Sequence, residues 1–89
     1  MKIPKQVKVG GIWYKVKMVK GLKEQISADG EYSPIENTIS IDSEISKEAQ
    51  VVTFIHEILH ACNSTMNHEF LDSLAEQLYQ VFHDNHLIK

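Results

Sequence analysis

The sequence contains no arginine, a single cysteine and only two prolines. Arginine is the side chain that makes bidentate contacts to phosphate and guanine, so its absence argues against nucleic-acid binding. The lone cysteine, Cys62, excludes an internal disulfide, as is common in cytoplasmic proteins. No apolar run approaches the roughly 20 residues that span a bilayer, and the N-terminus lacks the apolar stretch of a secretory signal. We therefore expect a cytoplasmic protein that does not cross a membrane.

Charge is distributed unevenly along the chain, although the net charge is only −3. Residues 1–23 hold seven of the nine lysines and no acidic residue. Residues 24–89 hold two lysines and all twelve acidic residues, a local balance of −10. The lysines at the N-terminus alternate with apolar residues, which is typical of the solvated face of a strand pair.

Alternation of apolar and polar residues predicts strands in the first half of the chain. The segment VKVGGIWYKVKMV has two alternating runs joined by Gly10 and Gly11, which is the pattern of a β-hairpin. The segment ADGEYSPIEN is rich in turn-forming residues. The segment NTISID, residues 37–42, alternates again and predicts a further strand, with Ile39 and Ile41 directed inward.

Two amphipathic helices are predicted in the second half. Val52, Ile55, Leu59 and Cys62 recur at helical spacing and mark the core face of a helix from about 47 to 63, with Ser46 as its N-cap. A second helix is predicted from about 67 to 84. The expected fold is a single α+β domain, residues 1–89, in which a small antiparallel or mixed sheet of three or four strands packs on a two-helix hairpin.

The first helix carries the pattern H-E-x-x-H at His56, Glu57 and His60. Residues four apart lie on the same side of a helix, so the two imidazoles can bind one zinc ion. In zinc proteases the intervening glutamate is the general base that takes a proton from the attacking water. About 0.02 chance matches are expected in a chain of this composition, which favours a metal site over coincidence.

A catalytic zinc site needs a third protein ligand and one position left for water. Because the connection between the helices is short, they should form an antiparallel hairpin that brings the start of the second helix level with His60. Candidate ligands there are His68, Glu69 and Asp72, and the hairpin geometry does not choose among them. Cys62 lies on the core face and is expected to be a buried apolar residue instead of a ligand.

The segments TFIHEILHACN and NHEFLDSLAEQLYQVFHDN resemble the small zincin-like proteins encoded by phages and prophages. These are similar in plan to the minigluzincins and to the ImmA/IrrE-type metallopeptidases. The likeness extends over nearly the whole chain, including the hairpin and the NTISID strand. It implies a zinc-binding helix, a second helix that supplies a glutamate ligand, and a peptide bound along the edge strand of the sheet.

On this resemblance His56 and His60 match the ligand histidines, Glu57 matches the general base, and Glu69 is the choice for the glutamate ligand. The strand at 38–42 would be the edge strand. In an alternative register His68 is the ligand and Asp72, four residues later, is its hydrogen-bonding partner.

Two functions are expected from these observations. The first is a zinc-dependent metallopeptidase that hydrolyses a peptide or one cognate protein, such as a phage or host regulatory protein. The second is a non-catalytic zinc-containing protein of phage origin that binds and regulates such a protein. Glu57 favours the first, because a structural zinc site needs no base between its histidines.

Overall fold

A computed structural model describes residues 1–87 and confirms the α+β class. It contains a mixed sheet of four strands and three helices, of which the first is a short one that the sequence pattern did not predict. In chain order the elements are β1 (Gln6–Val9), β2 (Ile12–Val19), α1 (Leu22–Ile26), β3 (Gly30–Ser33), β4 (Thr38–Asp42), α2 (Lys47–Cys62) and α3 (His68–Asp84).

The predicted hairpin is present as β1 and β2, which pair antiparallel with Val9 opposite Ile12. The two residues between them form the turn, and Gly10 has the positive φ of 61° that favours glycine. The lysines of β2 are exposed, whereas Tyr14 on the opposite face is buried in the core. The alternation of the sequence therefore follows the two faces of the strand.

The strand order is β1-β2-β4-β3, with β2 and β4 parallel and β3 and β4 antiparallel. The assignment of residues 38–42 as the edge strand was therefore wrong, because β4 lies between two partners. The edge strands are β1 and β3, and the turn-rich composition around Asp29 and Pro34 obscured β3. A parallel pair needs a long crossover, and here the crossover contains α1 and β3.

Helix α2 begins where the sequence predicted, because the Ser46 hydroxyl accepts a hydrogen bond from the Ala49 N–H at 3.1 Å. One side of α2 packs on the sheet, where Phe54 joins Ile39 and Ile41 in the core. A second side, with Ile55, packs on α3. The helix thus lies between the sheet and α3, so it needs two apolar sides. The sequence periodicity indicated only the side that faces α3.

Helix α3 begins at an Asn67 cap, whose side-chain oxygen accepts the Phe70 N–H at 3.1 Å. Leu71 and Ala75 are fully buried. Cys62, in contrast, is exposed, so its expected burial was wrong. It is the last residue of α2, and the chain turns away there before α3 begins. No helix within residues 1–87 has the length and apolar character required to cross a membrane.

Candidate metal centre

The two histidines of the H-E-x-x-H motif lie side by side on α2, in its second half. Their Nε2 atoms are 2.9 Å apart, and their ring centroids are 4.7 Å apart. His56 is 8% exposed and His60 is partly buried. The motif therefore lies at the margin of the core, where the helix emerges between the sheet and α3.

A third imidazole comes from α3. His68 is the first residue of that helix, and its ring centroid lies 4.9 Å from that of His56 and 5.4 Å from that of His60. One ligand atom from each of the three histidines can be chosen so that all three atoms lie within 4.8 Å of one another. Three histidines from two helices thus form a group that could hold a metal ion.

Glu69, the residue chosen from the resemblance, is not part of this group. It is exposed in the first turn of α3. Successive helical residues are rotated by ~100°, so Glu69 lies on the flank of the side that His68 and Asp72, four residues apart, share. The arrangement agrees with the alternative register in bringing His68 to the other two histidines. It differs in the partner of Asp72, which lies 2.9 Å from His56 and 3.8 Å from His68.

The three imidazoles suit a transition metal such as zinc. Two nitrogens bound to a tetrahedral zinc at 2.0–2.1 Å lie about 3.3 Å apart, and the Nε2 atoms of His56 and His60 are close to this spacing. The 4.8 Å limit of the group is wider than a shared ion allows, so the third imidazole must move inward. The His68 side chain is 68% exposed, so little packing opposes this movement. The donor set therefore fits a three-histidine centre after one side-chain adjustment.

Asp72 orients His56 and lies near His68. Its Oδ1 lies 2.9 Å from His56 Nδ1, and its Oδ2 lies 3.8 Å from His68 Nε2. A carboxylate only accepts hydrogen bonds, so His56 Nδ1 carries the proton and its Nε2 presents a lone pair. Burial lowers the pKa of His56, neighbouring imidazoles lower it further, and Asp72 opposes this. The pKa of His60 is lowered in the same way by burial and then by His68. Neutral imidazoles are the form that binds metal.

Glu57 lies beside this group in a different environment. Its side chain is 6% exposed, and it lines a cavity of about 300 Å³ together with His56, His68 and Asp72. Burial, followed by repulsion from Glu31 and Asp72, raises the pKa of Glu57 to about 7. A carboxyl group with a pKa near neutrality can both accept and return a proton at physiological pH.

Gly30 makes room for this carboxylate, a role that the sequence pattern did not reveal. A Cβ at residue 30 would lie 3.2 Å from Glu57 Oε2, 2.5 Å from Thr53 Cγ2 and 2.9 Å from the Ser40 carbonyl oxygen. The edge strand β3 can therefore approach α2 closely only because residue 30 has no side chain. In the sequence Gly30 follows Asp29, and this pair is indistinguishable from a turn signal.

We expect Gly30→Ala to lower the free energy of unfolding by about 1–3 kcal/mol, the usual cost of overpacking. Gly11→Ala is the matched control, because a Cβ at residue 11 meets nothing within 4 Å. Chemical denaturation of both metal-free variants measures the difference. Equal stability of the two variants would show that β3 does not depend on a close approach at Gly30.

We expect Asp72→Asn to weaken zinc binding by about 10–100-fold, the usual effect of removing the partner that orients a ligand histidine. The Asp72 side chain is 56% exposed, so the fold itself should be little affected. Asp84→Asn is the control. Asp84 also contacts a histidine, with 3.2 Å between its Oδ1 and His83 Nδ1, but neither residue belongs to the three-histidine group. Competition with a zinc-sensitive chelating dye measures both affinities. Equal affinities would remove Asp72 from the centre.

Comparison of the chain with protein-family models, with curated proteins and with solved structures found no match. The class of the site is therefore defined by its own residues: a group of three histidines with a buried carboxylate beside it.

Proposed function

We propose that this protein is a zinc-dependent metallopeptidase of the zincin type, in which His56, His60 and His68 hold the metal and Glu57 is the general base. The observation that carries this proposal is the convergence of three imidazoles, two of which, from His56 and His68, line the same cavity as the buried Glu57 carboxylate. Three histidines leave one position of a tetrahedral zinc open, which is the arrangement of catalytic and not of structural zinc sites.

His56, His60 and His68 would hold the zinc, which would supply a Lewis acid for the substrate carbonyl and for the attacking water. Glu57 would take a proton from that water and deliver it to the leaving amine nitrogen of the peptide bond. Its pKa of about 7 suits both steps. Asp72 holds His56 in the tautomer whose Nε2 is free for the metal.

The edge strand offers a place for the peptide. Within residues 1–87, β3 pairs with β4 alone, so its outer edge presents unpaired backbone groups. A peptide in extended conformation can add to such an edge through main-chain hydrogen bonds. Gly30, at the start of β3, lines the same cavity as Glu57. A peptide along β3 would therefore pass in front of the base.

The test is hydrolysis of a synthetic pool of peptides by purified, zinc-loaded protein, followed by mass spectrometry. We expect new termini that disappear when zinc is removed by a chelator and return when zinc is restored. A pool left intact by protein that carries one zinc per chain would contradict the proposed peptidase activity.

The openness of the site favours a second candidate function. The side chains of His68 and Asp72 are 68% and 56% exposed, so few walls surround the metal group. A non-catalytic zinc-containing protein that binds and regulates a phage or host protein would tolerate such a site. Zinc binding without hydrolysis of any peptide in the pool is the result that this candidate predicts.

A further inference from the structure

The cavity at Glu57 continues into a larger groove between α2 and α3. This acidic groove has a volume of about 660 Å³ and is formed by the first half of α2, the second half of α3 and Asp29. The two cavities share four residues: Asp29, Val52, Thr53 and Glu76. Because the walls are shared, a ligand that lies against Glu57 can extend into the groove without leaving the protein surface.

The groove has the charge and shape that a long basic side chain requires. Four carboxyl groups line it, from Asp29, Glu48, Glu76 and Asp84, together with one imidazole, from His83. Asp29 pairs with Lys23 at 3.7 Å and Asp84 with His83 at 3.2 Å, whereas within residues 1–87 Glu48 and Glu76 have no such partner. Val52 adds an apolar wall, and the ring of Tyr79 lies beside it. A lysine or arginine side chain can lay its methylene stem on such a surface and keep its charged end among carboxylates.

Two buried polar residues lie where the two cavities meet. Thr53, 8% exposed, lines both cavities, and Glu57, 6% exposed, lines the smaller one. No lysine or histidine of residues 1–87 pairs with the Glu57 carboxylate, and its charged neighbours, Glu31 and Asp72, are acidic. Without metal the potential around Glu57 is therefore negative, and a bound zinc ion would offset it there. Attraction of a basic side chain thus depends on the carboxylates of the groove.

The position of β3 connects the groove with a bound peptide. Asp29 directly precedes Gly30, the first residue of β3, and lines both cavities. Side chains of an extended peptide alternate between two sides. A peptide that adds to β3 with its scissile bond beside Glu57 would thus direct a neighbouring side chain into the groove at Asp29.

We propose that the acidic groove binds a lysine or arginine side chain of the peptide that the site hydrolyses, next to the bond that is cut. This inference rests on the proposed peptidase function and adds the substrate class to it. The groove acts by charge and by its apolar wall, so it selects basic residues over acidic ones and over uncharged residues of the same length.

Binding is tested separately from hydrolysis. Zinc-loaded Glu57→Gln protein is titrated with two blocked tripeptides, acetyl-Ala-Lys-Ala-amide and the same peptide with norleucine, and amide chemical shifts are followed by NMR. We expect saturable shifts at Glu48, Thr53 and Tyr79 with the lysine peptide, and a Kd about tenfold lower than that of the norleucine peptide. Equal affinity for the two peptides would overturn the proposal.

Variants of the groove provide the matched comparison. In the same background, Glu48→Gln combined with Glu76→Gln should reduce the lysine preference by about tenfold. Glu36→Gln is the control, because it removes one carboxylate on the exposed turn between β3 and β4, outside both cavities. A preference that survives the loss of both groove carboxylates would also overturn the proposal.

Hydrolysis of the peptide pool then distinguishes the peptidase proposal from the groove proposal. If zinc-loaded protein cuts the peptide pool and lysine or arginine is enriched beside the new termini, the substrate class is supported. Cuts without such enrichment overturn the groove proposal and leave the peptidase intact. If nothing is cut, the peptidase proposal fails, and the lysine preference in the NMR titration alone decides whether the groove binds basic side chains.

Discussion

The Glu57→Gln variant is expected to lose peptide hydrolysis by at least about 10²-fold while it binds zinc as the unaltered protein does. General bases contribute about 10²–10⁴-fold to such reactions, and glutamine cannot accept the proton. Glu57 lines the cavity beside the histidines but is not one of the three proposed zinc ligands. Its replacement therefore leaves all three ligands in place. Rates of peptide cleavage at equal zinc content measure the effect.

The fold should not limit this experiment. The Glu57 carboxylate is buried and has acidic neighbours, so replacing it with a neutral amide removes an unfavourable charge. We expect the melting temperature of the metal-free variant to be no lower than that of the unaltered protein. Glu36→Gln, a change of the same kind at an exposed position, should cleave at the normal rate. Full activity in Glu57→Gln would show that another group is the base.

Replacement of His68 with alanine is expected to weaken zinc binding by more than about 100-fold, because loss of a direct ligand exceeds the 10–100-fold effect of losing a ligand's partner. Glu69→Gln, one residue away, should leave the affinity unchanged. Both substitutions alter an exposed side chain in the first turn of α3. Chelator competition distinguishes them directly.

The two possible third ligands, His68 and Glu69, predict opposite zinc affinities for these two variants. If Glu69→Gln loses zinc and His68→Ala keeps it, the carboxylate ligand implied by the family resemblance is correct, and the three-histidine group is a contact of the metal-free protein. His60→Ala is the positive control, because both ligand sets require His60. Its zinc affinity should fall at least as far as that of His68→Ala.

Much of the fold follows from local signals in the sequence. The Gly10-Gly11 hairpin and the Ser46 cap each depend on residues that are a few positions apart in the sequence, and both were predicted correctly. The edge strand was predicted wrongly, because the pairing of β2 with β4 depends on a crossover whose helix has only five residues. Such a helix is too short for its periodicity to be recognised, and the edge strand β3 lies in a turn-rich segment.

The candidate site was predictable to a similar degree. His56, Glu57 and His60 form a motif within one helix, so the sequence alone places them together. Which residue of α3 supplies the third ligand depends on how that helix is rotated relative to α2, and the sequence does not determine this rotation. The one available signal was the four-residue spacing of His68 and Asp72, which puts both on one side of α3. The role of Gly30 depends on an approach between distant segments, and no local pattern could reveal it.

The central claim is that three imidazoles, from His56, His60 and His68, bind one zinc ion. X-ray absorption spectroscopy at the zinc edge of protein loaded with one zinc per chain tests it most directly, because imidazole ligands give a characteristic outer-atom scattering pattern. We predict three imidazoles and one further oxygen ligand, and loss of one imidazole in His68→Ala. Two imidazoles with a carboxylate, unchanged in His68→Ala, or a chain that binds no zinc would contradict the account.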